Sequence, residues 1–319
     1  MANGGVNGRS SPVRPVRPIP RQSRRPWAGR RLAGTGVGEL WVADPAAIVE
    51  GGRDGGLTLD ELADRWGEAF VGTRALARLG PRFPLLVKFI DTADWLSIQV
   101  HPSDALAAEL YGPGHLGKTE AWVILEADPE SRLVTGPRRD LEESELRATI
   151  RAGRLGREHC EDQPARAGDS LLIPAGTIHA IGAGVLLYEI EEASDITFRI
   201  SDWGRPPSPE RPLHIAESLR AVAPESRAFD AGTGWKLDGG AIDVPEFRLE
   251  IARIPEALPR SPAGDSLHVL TAIRGRARIV GHGWVEGLEP FQTVVVPASD
   301  PGYRIEGPQG GLVCVGSIP

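Results

Sequence analysis

Short apolar runs separated by glycine- and proline-containing turns make up most of the chain beyond about residue 26. Runs of this length are typical of strands in a β-sandwich or barrel, and they argue against alternating βαβ units. The clearest runs in the first half are LLVKFI (85–90), LSIQV (96–100), AWVIL (121–125), SLLIP (170–174), VLLYEIE (185–191) and ITFRI (196–200).

Helical patterns are few. Thr58 and Glu61 form a capping box, Ser103 could cap a short helix, and Asp140 with Glu143 opens a segment with one apolar face. A fourth candidate links the two halves of the chain. The predicted helices cover about 58–70, 103–108, 140–150 and 213–222.

The second half, from about Trp235, repeats the pattern of short apolar strands and turns that is seen in the first half. GDSLLIPAGTIHAI (168–181) and PFQTVVVPASDPGYRI (290–305) share a polar turn, an apolar strand, Pro-Ala and a second turn. We interpret them as one β unit used twice. The second copy has no counterpart of His179, and His268 is its only other candidate ligand, so we expect that copy to be metal-free.

Composition and charge limit the protein class. The 319 residues are 41% hydrophobic, enough for one large core or two medium ones. No run reaches the roughly 18 apolar residues of a membrane helix, and no secretion leader is recognisable. Cys160 and Cys314 are far apart, which favours a reduced compartment. We therefore expect a cytoplasmic protein that makes no membrane contact.

The first 31 residues carry eight arginines and no acid, although the whole chain has a net charge of −7. Residues 1–26 are also rich in proline, glycine and serine, which predicts a disordered tail. Such a tail could bind nucleic acid or another anionic surface, or it could be an extension without function. The acidic remainder argues against a dedicated nucleic-acid binder.

Two polar pairs stand out against this β pattern: Gln99 with His101, and Lys118 with Glu120. Side chains at i and i+2 of a strand share a face, so neighbouring strands would gather these groups on one surface. His179 adds a further nitrogen. The set suits zinc, with iron, manganese or nickel open, whereas the alternative is a pair of hydrogen-bonded structural histidines.

A second polar group, over 186–205, contains Glu189 and Glu191 on one strand face, followed by Asp195 and Arg199. The Arg199 guanidinium could bind a phosphate or carboxylate, or it could form an ordinary exposed salt bridge. Lysine is rare among the 36 basic residues. Two of the lysines, Lys88 and Lys118, are beside the proposed site. A compact ammonium is not replaceable by guanidinium where a proton must move.

Several motifs together, in order, resemble the type I phosphomannose isomerases. They are WAGRRLAG with GELW, LLVKFID, SIQVHPSD, GKTEAW, IPAGTIHAI and YEIEEASDITFRISDW, and they span about 27–220. The resemblance implies a mainly β protein of two cupin-type β-sandwich or jelly-roll units. We divide the chain into the tail (1–26), a metal-binding domain with small helical insertions (27–222) and a metal-free domain (223–319).

The resemblance further implies one Zn²⁺ per chain, and a pocket for a phosphorylated sugar. Two departures stand out: Gly117 occupies a position where longer relatives carry histidine, and Glu191-Glu192 replaces frequent glutamines. The implied ligands are Gln99 (the least secure), His101, Glu120 and His179, and the implied pocket residues are Lys88, Lys118, Glu189, Asp195 and Arg199.

The implied reaction interconverts mannose 6-phosphate and fructose 6-phosphate through a cis-enediol. Lys118, its pKa lowered beside a cation, is the leading proton-transfer residue, with Glu189 and Asp195 as competitors. Arg199, supported by Lys88, is expected to bind the phosphate. A non-catalytic sugar-binding or regulatory cupin and an Fe(II) cupin oxygenase are the alternatives, and the sequence leaves monomer or homodimer open.

Overall fold

The computed structural model describes residues 13–32, 34–206, 208–255 and 259–319. Within them the chain forms four stacked layers of antiparallel β-sheet with six short helices, which confirms the predicted mainly β class. None of the helices in these ranges is long and apolar enough to cross a membrane. Cys160 and Cys314 are both buried and unpaired.

The strands of the first half belong to the two layers that enclose the candidate site. They are β1 Arg21–Arg24, β2 Val37–Ala43, β3 Leu85–Asp91, β4 Ile98–Val100, β5 Glu120–Ala127, β6 Arg132–Pro137, β7 Cys160–Pro164, β8 Ser170–Ile173, β9 Ala180–Ile181, β10 Val185–Glu192, β11 Phe198–Ser201 and β12 Phe229–Gly232.

The strands of the second half form the other two layers. They are β13 Ile242–Asp243, β14 Arg248–Arg253, β15 His268–Arg274, β16 Ala277–Gly281, β17 Trp284–Leu288, β18 Thr293–Val296, β19 Tyr303–Glu306 and β20 Leu312–Ser317.

The helices lie in connections between strands. They are α1 Leu59–Trp66, α2 Glu68–Val71, α3 Thr73–Leu79, α4 Asp104–Tyr111, α5 Glu143–Arg151 and α6 Ile215–Ala221.

A seven-stranded sheet in the order β1-β2-β3-β10-β5-β8-β12 is the central layer. One face lies against the β11-β4 pair and the β7-β6-β9 sheet, and the site is between them. The other face packs on the five-stranded sheet β13-β14-β20-β15-β18 of the second half, which the β17-β16-β19 sheet covers on its far side. Both faces of the central sheet are therefore buried.

Strand β10 shows how one sequence serves both faces. Side chains alternate along a strand, so Leu186, Tyr188 and Ile190 enter the core shared with the second half, whereas Glu189 and Glu191 point to the site. The two halves approach closely at Gly316, where a Cβ would lie 2.5 Å from Ile190 Cδ1. All eight residues of the strand are buried.

The prediction of a disordered tail is wrong for residues 13–26. Val16 exchanges backbone hydrogen bonds with Val295 at 3.0 and 2.9 Å, and Arg17 Nε is 2.7 Å from Glu286 Oε2. Strand β1 then pairs with β2. Three arginines that suggested a solvated tail, Arg17, Arg21 and Arg25, pair with carboxylates of the acidic body. Residues 1–12 lie outside the described ranges.

The helix predictions hold with shifted bounds. The Thr58–Glu61 capping box and the Ser103 cap are both present, but the predicted helix over 58–70 divides at Gly67, whose φ is 48°. The segment expected to begin at Asp140 becomes helical only at α5. Helix α3 was not predicted, and β12 pairs with β8, so the first half's sheet extends beyond the boundary drawn at 222.

Ile190→Ala should lower the free energy of unfolding by about 2–5 kcal/mol, because it leaves a cavity between the two halves. Urea denaturation measures the change. Val285→Ala, at a side chain that is 51% exposed, is the control and should cost less than about 0.5 kcal/mol. Equal effects of the two substitutions would show that the halves do not pack together as described.

Candidate active site

The central sheet and the facing β4 bring the predicted polar residues to one place. Register pairs Glu189 of β10 with Lys88 of β3, and Glu191 of β10 with Glu120, the first residue of β5. On the facing layer, an isolated bridge pairs Gln99 of β4 with the residue just before β9, His179. His101 directly follows β4, and Lys118 lies two residues before Glu120 in the chain.

Both site histidines present the same nitrogen to the interior. His101 Nδ1 is 2.9 Å from the Ile196 carbonyl oxygen, and His179 Nδ1 is 2.9 Å from that of Thr177. A carbonyl only accepts, so we assign the proton of each ring to Nδ1. The Nε2 lone pairs then face Glu120, at 3.3 Å from Oε2 for His101 and 3.4 Å from Oε1 for His179.

This arrangement fits a metal ion. Glu120 Oε1 is buried and has no hydrogen-bond partner among the described residues. Neither Nε2 carries a proton that it could donate to this oxygen. One ligand atom each from His101, Glu120 and His179 lies within 4.8 Å of the others. His101 Nε2 is 3.3 Å from Lys118 Nζ, and His179 Nε2 is 3.1 Å from Gln99 Nε2. Glu120 Oε1 is therefore the buried atom of this group that lacks a donor. Two imidazoles with a carboxylate are a donor set that suits zinc.

Gln99 holds a different position from the other three predicted ligands. Its Nε2 is 3.1 Å from His179 Nε2, and its Oε1 accepts a hydrogen bond from the Ser97 hydroxyl at 3.3 Å. In this orientation the amide donates to His179, so the oxygen would reach the ligand group only after rotation of the amide.

The protonation states also favour cation binding. Burial lowers the pKa of His101 to about 3, with the Lys118 ammonium adding to the effect, and burial likewise lowers that of His179. Burial would raise the pKa of Glu120, but the Lys118 ammonium holds it well below its usual value. Neutral imidazoles and an ionised carboxylate are the forms that bind metals.

Two lysines and two further glutamates form a buried network beside these groups. Lys118 Nζ contacts Glu120 Oε2, lies 2.6 Å from Glu191 Oε2 and 3.3 Å from Glu189 Oε1. Lys88 Nζ lies 2.9 Å from Glu189 Oε1 and 3.2 Å from Glu191 Oε1. Glu191, one of the departures noted above, thus contacts the ammonium groups of both lysines.

The pKa of Lys118 is raised, in contrast to the lowered value expected from the sequence. Burial alone would lower it, but the carboxylates of Glu120, Glu191 and Glu189 dominate. The pKa of Glu189 is lowered, because the two lysines outweigh its burial. The network therefore contains a protonated lysine beside an ionised glutamate.

The backbone that carries Lys118 is fixed by acceptors on both sides. The N–H of Gly117 donates to Asp104 Oδ1 at 2.7 Å, that of Lys118 to the Pro102 carbonyl at 3.0 Å, and that of Thr119 to Glu192 Oε2 at 3.0 Å. A Cβ at Gly117 would lie 2.5 Å from the Asp104 backbone nitrogen. This close packing leaves no room for the histidine of longer relatives.

Glu192, the other departure, points away from the cavity. Its Oε1 is 3.0 Å from Nη2 of Arg78, a residue of α3 that also contacts Asp104 at 3.4 Å and the Pro245 carbonyl at 2.5 Å. Burial raises the pKa of Glu192 to about 8, and the group contacts Arg78, so it adds no free negative charge to the candidate phosphate site.

Arg199 and Asp195 lie farther out. Arg199 donates from Nε to the Ser97 hydroxyl at 3.2 Å and from Nη1 to the Pro212 carbonyl at 3.0 Å. Both acceptors are neutral, and no carboxylate of the described chain pairs with this guanidinium, so the exposed salt bridge considered above is not formed. Asp195 is exposed at the rim.

A cavity of about 370 Å³ lies beside the ligand group, and the predicted site residues that line it are Lys88, Gln99, Lys118, Glu189, Asp195 and Arg199. Its wall includes residues that the sequence reasoning missed, because they come from the presumed tail, from β2 and from the segment before α6. The only available signal was that two arginines precede the WAGRRLAG motif. The missed residues that matter below are Arg24, Arg25, Glu39, Arg211 and His214.

The fold and the site together define a class: a layered β protein with a buried group of two histidines and one carboxylate beside a cavity that carries an unpaired guanidinium. The comparisons with known proteins agree. Residues 33–115 match the model of the family described as phosphomannose isomerase type I, catalytic domain. The resemblance drawn from the motifs is confirmed.

Two curated relatives are similar in sequence to about three fifths of the chain. Mannose-6-phosphate isomerase from Streptococcus mutans is 37% identical over 208 residues, which cover 60% of this chain and 63% of that protein. Mannose-6-phosphate isomerase ManA from Bacillus subtilis is 33% identical over 211 residues, covering 62% and 64%. The matched region thus spans less than two thirds of each relative.

Solved structures show the same fold over almost the whole chain. Mannose 6-phosphate isomerase from Bacillus subtilis superposes with a TM-score of 0.78 at 24% identity, covering 96% of this chain and 99% of that one. A mutant of phosphomannose isomerase from Salmonella typhimurium gives 0.74 at 15% identity, covering 96% and 100%.

The metal-free protein should lose stability on acidification because of His101. The unfolded histidine binds a proton below about its ordinary pKa of 6.5, whereas the folded one does so only near 3. Between these two pKa values the unfolded state binds more protons than the folded state. A falling pH therefore stabilises the unfolded state relative to the folded one. Urea unfolding from about pH 7 to about pH 4 should show a smaller loss for His101→Gln than for the wild type.

His115→Gln, at an exposed histidine, is the matched control and should follow the wild-type curve. Parallel curves for His101→Gln and the wild type would contradict the assigned neutral, buried imidazole.

Proposed function

We propose that the protein is a zinc-dependent aldose–ketose isomerase that interconverts mannose 6-phosphate and fructose 6-phosphate through a cis-enediol. The observation that carries the proposal is one cavity with the unpaired Arg199 guanidinium on its wall, next to the buried His101–Glu120–His179 group. Gln99 and Lys118 line this cavity and contact that group. The named relatives support the same reaction.

Zinc at the His101–Glu120–His179 group would polarise the sugar carbonyl and stabilise negative charge on the neighbouring oxygens. The remaining chemistry belongs to the lysine–glutamate network. A proton must leave C2 of the aldose and return to C1, and a second group must supply protons to oxygen. Both groups must reach the same end of the sugar.

Glu189 and Lys118 divide this work in our proposal. Glu189 is ionised by its two lysine neighbours and can accept the carbon-bound proton, whereas Lys118 is held protonated and can donate to oxygen. This modifies the expectation that Lys118 alone leads the proton transfer. Asp195, at the exposed rim, is the remaining candidate for opening the sugar ring.

Arg199 is the proposed phosphate-binding residue. Its guanidinium donates hydrogen bonds only to neutral oxygens among the described residues, so its positive charge is available to an anion. Lys88 has a less direct role than the sequence suggested, because its ammonium lies between Glu189 and Glu191. Its contribution to phosphate binding is through charge at a distance.

The purified protein should carry about one zinc per chain at this three-ligand site, and chelation should abolish conversion of mannose 6-phosphate to fructose 6-phosphate. Metal analysis and a coupled assay measure both. Restoration by zinc is the expected control. Full activity without metal would contradict the mechanism, iron with oxygen consumption would favour the oxygenase, and sugar binding without turnover would favour a regulatory cupin.

Arg199→Met should raise KM for mannose 6-phosphate about 10- to 100-fold, the range expected for a lost charge-assisted hydrogen bond. Steady-state kinetics with mannose 6-phosphate and with free mannose separates phosphate binding from chemistry, and free mannose should be much less affected. Arg278→Met, at a side chain that is 61% exposed, is the control. Equal losses with the two sugars would disprove the phosphate assignment.

A further inference from the structure

The segment that was expected to be a free tail forms part of the cavity wall. Arg25 directly follows β1, and its backbone N–H donates to the Gly36 carbonyl at 3.0 Å. Its side chain lines the same cavity as Arg199. We propose that Arg25 is a second guanidinium for the substrate phosphate, an inference that rests on the proposed function.

The two arginines reach the cavity from different layers of the fold. Arg199 belongs to β11, in the layer that faces the central sheet, whereas Arg25 extends from the edge of the central sheet next to β2. They are close enough for their charges to interact: burial lowers the pKa of Arg199 most, and the charges of Arg211 and Arg25 add to the effect. Two cations that repel each other across a cavity provide a place for a dianion.

Glu39, the carboxylate partner of Arg25, has other groups that can stabilise its negative charge. Arg25 Nη2 lies 2.8 Å from Glu39 Oε2, and the side chain is 34% exposed. Glu39 also accepts a hydrogen bond from Trp41 Nε1 at 2.9 Å and interacts with the Lys88 ammonium. Because those two groups remain, Arg25 can turn to a phosphate without leaving Glu39 buried and unpaired.

Neighbouring arginines of the wall are less suited to this role. Arg211 lies 2.9 Å from Asp202 Oδ1 with a second contact to Oδ2 at 3.2 Å, a bidentate pair. Arg24 donates to the Thr35 carbonyl at 2.8 Å and is exposed. Arg25 combines a position on the wall with a single, shared carboxylate partner.

Arg25→Met should raise KM for mannose 6-phosphate about 10- to 100-fold, with kcat within about threefold of the wild type. Competitive inhibition by inorganic phosphate should weaken by a similar factor. Arg21→Met is the matched control, because Arg21 lies on β1, which Arg25 directly follows, but pairs with Asp44 away from the cavity. This variant should behave as the wild type.

Glu39→Gln should change phosphate binding in the opposite direction, because it releases Arg25 from its carboxylate. Inorganic phosphate should then inhibit more strongly than in the wild type. This variant keeps the proposal testable if Arg25→Met does not fold.

Unchanged phosphate inhibition in both Arg25→Met and Glu39→Gln, with Arg199→Met still impaired, would overturn the role of Arg25 and leave the proposed function intact. If Arg199→Met also bound phosphate normally, the phosphate site itself would be misassigned. Thermal unfolding of each variant identifies losses that come from folding alone.

Discussion

The structure depends on keeping a compact set of opposite charges paired inside a β-sheet. The ammonium groups of Lys88 and Lys118 and the carboxyl groups of Glu120, Glu189 and Glu191 are each at most 8% exposed. Burial raises the pKa of Glu191 well above its usual value, so the ionised carboxylates of the set are Glu120 and Glu189. Removing one member of such a network leaves an uncompensated buried charge, which typically costs about 3–5 kcal/mol. The arrangement is therefore tolerable only while the three strands that bear these residues keep their register.

Register and burial reinforce each other in this fold. A slip of β10 by one residue would turn Glu189 and Glu191 into the core shared with the second half, and would turn Ile190 into the site. The second half thus contributes by covering the apolar face of the central sheet. A sheet buried on both faces can present charged side chains on one of them, because the other face supplies the hydrophobic stabilisation.

Much of this could be predicted from the sequence. Alternation predicted that Lys118 shares a face with Glu120 and that Glu189 shares one with Glu191, since the period of a strand is fixed. These side chains do meet in one network. Alternation does not predict how deeply a side chain is buried or which groups contact it. The carboxylates around Lys118 and their effect on its pKa were therefore missed. The ordered segment before Trp27 was missed for a related reason: composition favoured disorder, whereas pairing with β2 and with distant carboxylates determines the outcome.

The central claim is that His101, Glu120 and His179 form a binding site for one divalent cation. Diffraction from crystals of the zinc-loaded protein, recorded on both sides of the zinc absorption edge, tests this most directly. The account predicts one anomalous peak per chain, about 2.0–2.2 Å from Nε2 of each histidine and from a Glu120 oxygen. A zinc peak elsewhere with none at these atoms, or retention of the Glu120–histidine contacts at saturating zinc, would contradict it.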